Sequence, residues 1–183
     1  MQSYNEDEIV EQLQSPETRR AAFSKVVAHY SEPLYWHIRK MVMSHDDADD
    51  LLQNTFMKAW MNIEYFRGEA KLSTWLYRIA INESLTFLNK QRQQLNVSIE
   101  EGDGFLAEKL EADEWFCGDE AEKQLHQAIL RLPEKQRLVF NLRYFQEMKY
   151  EDMSNILGTS VGALKASYHL AAKKIEDYLT EKV

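Results

Sequence analysis

The sequence predicts an all-α protein, interrupted by an acidic linker, with room for one large domain or two small ones. Glycine and proline are scarce, six and three in 183 residues. No stretch alternates apolar and polar residues long enough to make a strand. Apolar residues instead recur at spacings of three and four along most of the chain, the period of an amphipathic helix. Residues 93–122 break that pattern. They hold ten acids against one lysine, together with Gly102, Gly104 and Gly118, which reads as a linker, partly extended when free. Phe105, Leu106, Leu110, Trp115 and Phe116 are more large apolar groups than a pure linker carries, so this segment is expected to dock on a partner or on the protein itself.

Taken in order, residues 5–14 predict a short amphipathic helix with Ile9, Val10 and Leu13 on one side. Pro16 suits the first turn of the next helix, with Ser15 before it as a cap. That helix carries Ala22, Phe23, Val26, Val27 and Tyr30 at core spacing, and Pro33 is expected to start another through Leu34, Ile38 and Val42. Ser44 followed by Asp46 and Asp47 reads as a cap and first turn, with acids at the positive end of the helix dipole. The helix it opens, about 46–63, buries Leu51, Leu52, Phe56, Ala59, Trp60 and Ile63 and leaves Asp49, Asp50, Gln53, Asn54 and Lys58 elsewhere. After the linker, helical period returns near Glu122, is interrupted at Pro133 and resumes through Tyr144. From Tyr150 the pattern is a helix-turn-helix. Glu151–Leu157 is its first helix, Gly158 fits a left-handed helix end, and Thr159 and Ser160 can cap the second. That second helix buries Val161, Leu164, Tyr168, Ala171, Ile175 and Tyr178. Gly162, Lys165, Ala166, His169 and Lys173 lie opposite, and small residues there permit close approach to a groove about 12 Å wide.

The stretch from Phe66 to Arg92 carries the chemistry. Gly68 marks a loop, and from Leu72 most of the helical circumference is apolar. One stripe differs, with Thr74, Trp75, Arg78, Asn82, Leu85, Thr86 and Asn89 on one side and Lys90 and Arg92 following. An aromatic ring, a guanidinium, an amide and hydroxyls are the groups that stack on bases, meet base edges and hold phosphates. The plainer reading is a core helix with a solvated edge on which Trp75 is simply packed. A net charge of −8 argues against nucleic acid at first sight, but its distribution reverses that. Residues 67–92 and residues 123–183 each carry an excess of three positive charges, and the acids concentrate between them and at the N-terminal end. No apolar run is long enough to span a membrane. The single Cys117 allows no internal disulfide, which suits a reducing cytoplasm. His29, His37, His45, His126 and His169 show no metal-ligand spacing and no phosphate-binding glycine motif occurs, so no metal, cofactor or catalytic activity is expected.

Three blocks occur in a recognisable order: DDADDLLQNTFMKAW, then FRGEAKLSTWLYRIAINESLTFLNKQR, then LPEKQRLVFNLRYFQEMKYEDMSNILGTSVGALKASYHLAAKKI. Together they resemble the extracytoplasmic-function (ECF) sigma factors of bacterial RNA polymerase, in the sigma-70 family. The resemblance implies two helical domains, a sigma-2-like bundle over 5–93 and a sigma-4-like helix-turn-helix over 122–183, joined by an acidic linker over 94–121, and a promoter-specificity subunit without catalysis of its own. It implies that Asp49, Asp50, Gln53, Asn54, Phe56 and Lys58 dock on core polymerase. It assigns Phe66, Arg67, Lys71, Thr74, Trp75, Arg78, Asn82, Lys90 and Arg92 to the −10 element and its melted non-template strand. Thr159, Ser160, Gly162, Lys165, Ala166, His169 and Lys173 fall to the −35 element. An anti-sigma factor is the implied inhibitor. The linker would thread into the polymerase cleft, where Glu100, Glu101, Asp103, Glu108 and Glu111 would imitate nucleic acid. Some positions depart from the family's habit. Asn54 is an amide where many members carry an acid, Thr86 and Asn89 stand where Asp and Arg are frequent, and Ala166, Leu170 and Ala172 leave the −35 helix short of arginine. The alternative is a stand-alone helix-turn-helix regulator that binds duplex DNA through residues 150–179, normally as a dimer on a two-fold site.

Overall fold

The computed structural model describes residues 4–95, 106 and 120–181, and all regular structure among them is helical. Helix α1 (Glu6–Gln14) opens on Asn5, whose side-chain oxygen accepts the N–H groups of Asp7 and Glu8, and it buries Ile9 and Leu13. Helix α2 (Pro16–Val42) starts on Pro16, where a missing N–H removes no helical bond. It then runs for 27 residues straight through Pro33, so the sequence expectation of a new helix there is wrong. An interior proline forfeits a hydrogen bond and costs about 3 kcal/mol. The apolar row outweighs it. Val26, Tyr30, Leu34, Ile38 and Val42, each four residues on, are all buried. Each is worth roughly 1.5–3 kcal/mol of burial, and a break at Pro33 would split the row.

Met43, at φ 54, ends α2 with its N–H on the Arg39 carbonyl. Ser44 then caps α3 (His45–Asn62), its hydroxyl accepting the Asp47 N–H at 3.3 Å. A 3-10 turn (Ile63–Tyr65) and a loop lead to α4 (Leu72–Leu95). Helices α1 to α4 form the first bundle. The second part comprises α5 (Glu120–Leu130), α6 (Glu134–Tyr144), α7 (Tyr150–Leu157) and α8 (Val161–Glu181). Gly158 takes the left-handed conformation expected of it, φ 63, and closes α7 on the Ser154 carbonyl. The Ser160 hydroxyl accepts the Ala163 N–H at the start of α8.

Helices α5, α6 and α8 enclose a small core of Ala128, Ile129, Leu132, Phe140, Ala171 and Ile175. The larger core is shared. Leu138, Val139, Leu142, Met153, Ile156 and Leu164 of the second part belong to the same apolar cluster as Leu34, Leu76 and Leu88 of the first. Helix α7 packs on α4, and α6 on α2. Leu106, the one described residue of the acidic segment's interior, is buried in that cluster, so at this point the segment docks on the chain itself. Phe105, Leu110, Trp115, Phe116, Cys117 and the acids Glu100, Glu101, Asp103, Glu108 and Glu111 lie outside the described residues.

Candidate nucleic-acid interface

The loop before α4 is held from α1. The Gln14 side-chain amide donates to the Phe66 carbonyl at 3.0 Å, and a Glu6 carboxylate oxygen accepts the Leu72 N–H at 2.9 Å. The other Glu6 oxygen accepts the Tyr30 hydroxyl at 2.8 Å, which fixes the carboxylate. Gly68, at φ 72, occupies the left-handed region, which a side chain would strain. Phe66 is buried, and its ring lies 5.1 Å from that of Trp75. Trp75 is half-buried. Thr74 is buried, while Arg67, Lys71, Arg78, Asn82 and Lys90 are exposed. The stripe therefore offers a cationic and amide edge around one partly available ring.

Several of those groups already have partners across the fold. The Lys71 ammonium lies 3.1 Å from a carboxylate oxygen of Asp152. The Arg78 guanidinium donates to the backbone carbonyl of Asn155. Between them the Tyr77 hydroxyl donates to the Gln146 side-chain oxygen at 2.7 Å, and burial holds that phenol up at about 12. Arg92 is buried and ion-paired with Glu134 at 2.6 Å, without the alignment of a hydrogen bond to that oxygen, and it also donates to Asn89. In this form Phe66, Thr74 and Arg92 are closed to a ligand, because their neighbours cover them.

On α8 the opposite holds. Gly162, Lys165, Ala166, His169 and Lys173 share the exposed face, with Ser160 exposed at its start and Thr159 half-buried behind it. A side chain added at Gly162 would meet nothing, so the fold does not require a glycine there. The buried side of α8 is Leu164, Ala171 and Ile175, while Tyr168 is partly buried and stacks on Phe140.

Helix α3 presents a third surface. Asp50, Gln53, Asn54 and Lys58 are exposed, with Asp49 half-exposed and within 3.6 Å of His45. Lys58 is ion-paired with Glu83 of α4, which ties α3 to α4. Phe56 is half-buried, its ring nearly perpendicular to that of Phe23. Trp60, expected in the core, is substantially exposed, as are Met57 and Met61 beside it.

Residues 26–94 match the family model described as Sigma-70 region 2, and residues 122–175 match that described as Sigma-70, region 4. The RNA polymerase sigma-H factor of Pseudomonas aeruginosa is 31% identical over 182 residues, covering 95% of this chain and 93% of that protein. The chain belongs to the sigma-70 family. It is similar also to the ECF RNA polymerase sigma factor SigW of Bacillus subtilis, 28% identical over 168 residues, with 87% and 90% of the two chains covered. The sigma factor RpoE of Bartonella quintana, solved in complex with the anti-sigma factor NepR, shares the fold at TM-score 0.68 and 22% identity over 86% of this chain and 96% of that one. The chain is thus an ECF-type sigma factor, a transcription initiation factor rather than an enzyme. The stand-alone regulator falls, because the region 2 match and the near full-length relatives include the half of the chain such a protein would leave without a role. Among the described residues of this sigma factor, no helix is long and apolar enough to cross a membrane, and no cluster of His, Cys, Asp and Glu could hold a metal ion.

Two residues that position the site were missed in the sequence. Glu6 and Gln14 anchor both ends of the Phe66–Lys71 loop from 66 and 52 residues away. An acid and an amide on a short surface helix look like solvated residues, and only the fold shows their task.

Proposed function

We propose that this sigma factor recognises its promoters through two separate faces. The α4 edge with Arg67, Lys71, Trp75, Arg78, Asn82 and Lys90 takes the −10 element and its unpaired non-template strand. The α8 face with Ser160, Gly162, Lys165, Ala166, His169 and Lys173 enters the major groove of the −35 element. The α3 surface of Asp49, Asp50, Gln53, Asn54, Phe56 and Lys58 docks on core polymerase in the cytoplasm. The observation that supports this most is the pairing of a half-buried Trp75 with exposed Arg78 and Asn82 on one helix edge, at the end of a loop pinned at both sides. An aromatic ring returns about 1–3 kcal/mol per stacked base. Opening about a dozen base pairs costs on the order of 15 kcal/mol at roughly 1.4 kcal/mol per step. Two or three captures cannot balance that cost and the polymerase must supply the remainder, so the chain selects and traps bases that the whole machine exposes. An anti-sigma factor, of the kind seen with the RpoE relative, is the proposed inhibitor.

Incubating the purified chain with core polymerase and a genomic DNA library, then mapping transcript starts, tests the reading. Starts sharing a two-part upstream signature support it. Starts no different from those of core polymerase alone overturn it.

A further inference from the structure

We propose that Met57 and Met61 form a redox-sensitive modification site: a peroxide that oxidises both thioethers to sulfoxides weakens the hold of α3 on core polymerase. The inference rests on the proposed docking of α3. Asp50, Asn54, Met57 and Met61 recur at intervals of four, three and four, so the two sulfurs continue the exposed stripe that Asp50 and Asn54 begin. Trp60 and Tyr65 flank them. These four are half of the eight large apolar side chains left exposed among the described residues, and they lie within residues 57–65. Scattered apolar groups are ordinary on a surface, whereas a cluster marks a contact. The Trp60 ring is anchored 5.1 Å from that of Phe23. Both methionines beside it reach into solvent.

The fold sorts its described methionines. Met41, Met43 and Met153 are at most 5% exposed and Met148 is half-buried, whereas Met57 is 60% exposed and Met61 72%. A diffusing peroxide therefore meets these two sulfurs first. The thioether lone pair attacks one peroxide oxygen, the O–O bond breaks, and that oxygen stays on sulfur. The other leaves as hydroxide and takes up the proton of the first, which gives a sulfoxide and water. Sulfur is oxidised by two electrons and the peroxide is reduced by two. The product is polar where the thioether was apolar. A sulfoxide oxygen covered by a partner needs a hydrogen-bond donor, and the apolar polymerase surface that such a patch fits offers none, so docking weakens. A methionine sulfoxide reductase reverses the change, two thiols becoming a disulfide as the oxygen departs as water. The sigma factor thus reads the oxidant itself, with its DNA-facing residues untouched.

The test treats the purified chain with hydrogen peroxide, removes the excess with catalase and adds dithiothreitol, which reverses disulfides and sulfenic acid at Cys117 but leaves sulfoxides. Peptide mass spectrometry locates the added oxygens, and fluorescence anisotropy of the labelled chain reads its affinity for untreated core polymerase. The double variant Met57→Leu, Met61→Leu keeps the patch apolar without its sulfurs and passes through the same steps. Each chain is referred to its own untreated sample. The oxidised parent is expected to bind about tenfold more weakly, the oxidised variant to bind as before, and the parent to recover with methionine sulfoxide reductase and dithiothreitol. Equal losses in parent and variant overturn the proposal. So do sulfoxides at both positions without loss, a loss that the reductase does not reverse, and a loss that comes with unfolding in circular dichroism. Should the variant fail to fold, reversal by the reductase decides alone. The untreated variant Asp50→Lys, Asn54→Lys separates the two readings. If it binds core polymerase more weakly while oxidation changes nothing, the redox site falls and the docking of α3 stands. If neither change weakens binding, the docking of α3 falls and the redox site falls with it.

Discussion

Trp75 owes its place to Phe66, whose buried ring supports one side of the indole and leaves the rest accessible. Trp75→Ala should cost up to about 3 kcal/mol of stability, less than a fully buried aromatic. It should leave core-polymerase binding intact and reduce open-complex formation. Permanganate reactivity of promoter thymines, equal in mutant and parent, would contradict this. Gly162 is the reverse case, a glycine the fold does not need. Gly162→Ala should hold or raise stability, by at most about 1 kcal/mol, while weakening −35 duplex binding. A melting curve and a duplex footprint, taken together, decide it. His37 is buried with neither ring nitrogen hydrogen-bonded, and burial, with Lys40 nearby, pushes it down to about 3. Burial, with Lys40 and Arg39, pushes His126 down to about 4. The unfolded chain therefore takes these protons first. Stability should be unaffected above about pH 6.5 and should fall below it, by on the order of 2 kcal/mol per ring at about pH 5. Urea midpoints across that range are the measurement, and a flat profile would remove the effect.

Helix α2 shows where local and tertiary preferences part. Pro33 has every local reason to begin a helix, and the sequence reading placed a start there. The buried row from Val26 to Val42 decides otherwise. Pro33→Ala restores a backbone donor inside a continuous helix and should raise stability by about 1–3 kcal/mol, visible as a higher denaturant midpoint. An unchanged or lower midpoint would mean that the proline serves the packing. Most other elements were legible because their signals are local: Ser44 and its acids, Gly158, Pro133, and the apolar period of α4. The site was legible in part for the same reason. The stripe on α4 and the small-residue face of α8 follow from spacing. What spacing could not reveal is which side chains have partners from distant segments. Thr74 read as a member of the stripe and Arg92 as following it, but both are covered, and Trp60 read as core but is exposed. The Asn155 carbonyl, which engages Arg78, is backbone and leaves no sequence signal at all.

At the scale of the molecule, charge blocks and periodicity divide the chain in two, and the family models match the two parts separately. The apolar cluster nonetheless passes through both. Thermal unfolding of the free chain should therefore give one calorimetric transition, with matching calorimetric and van't Hoff enthalpies. Two resolved transitions would show that the parts melt independently. Leu106 has the widest consequence, because it is wholly buried partway along the acidic segment. A stretched peptide gains at most about 3.5 Å per residue. With that leucine seated, the residues from 106 to the start of α5 can span at most roughly 50 Å; with it released, those from the end of α4 can span at most roughly 85 Å. A promoter's two elements lie about 25 base steps apart, about 85 Å along straight duplex. Unplugging one aliphatic side chain thus lengthens the span over which the paired DNA readers can separate.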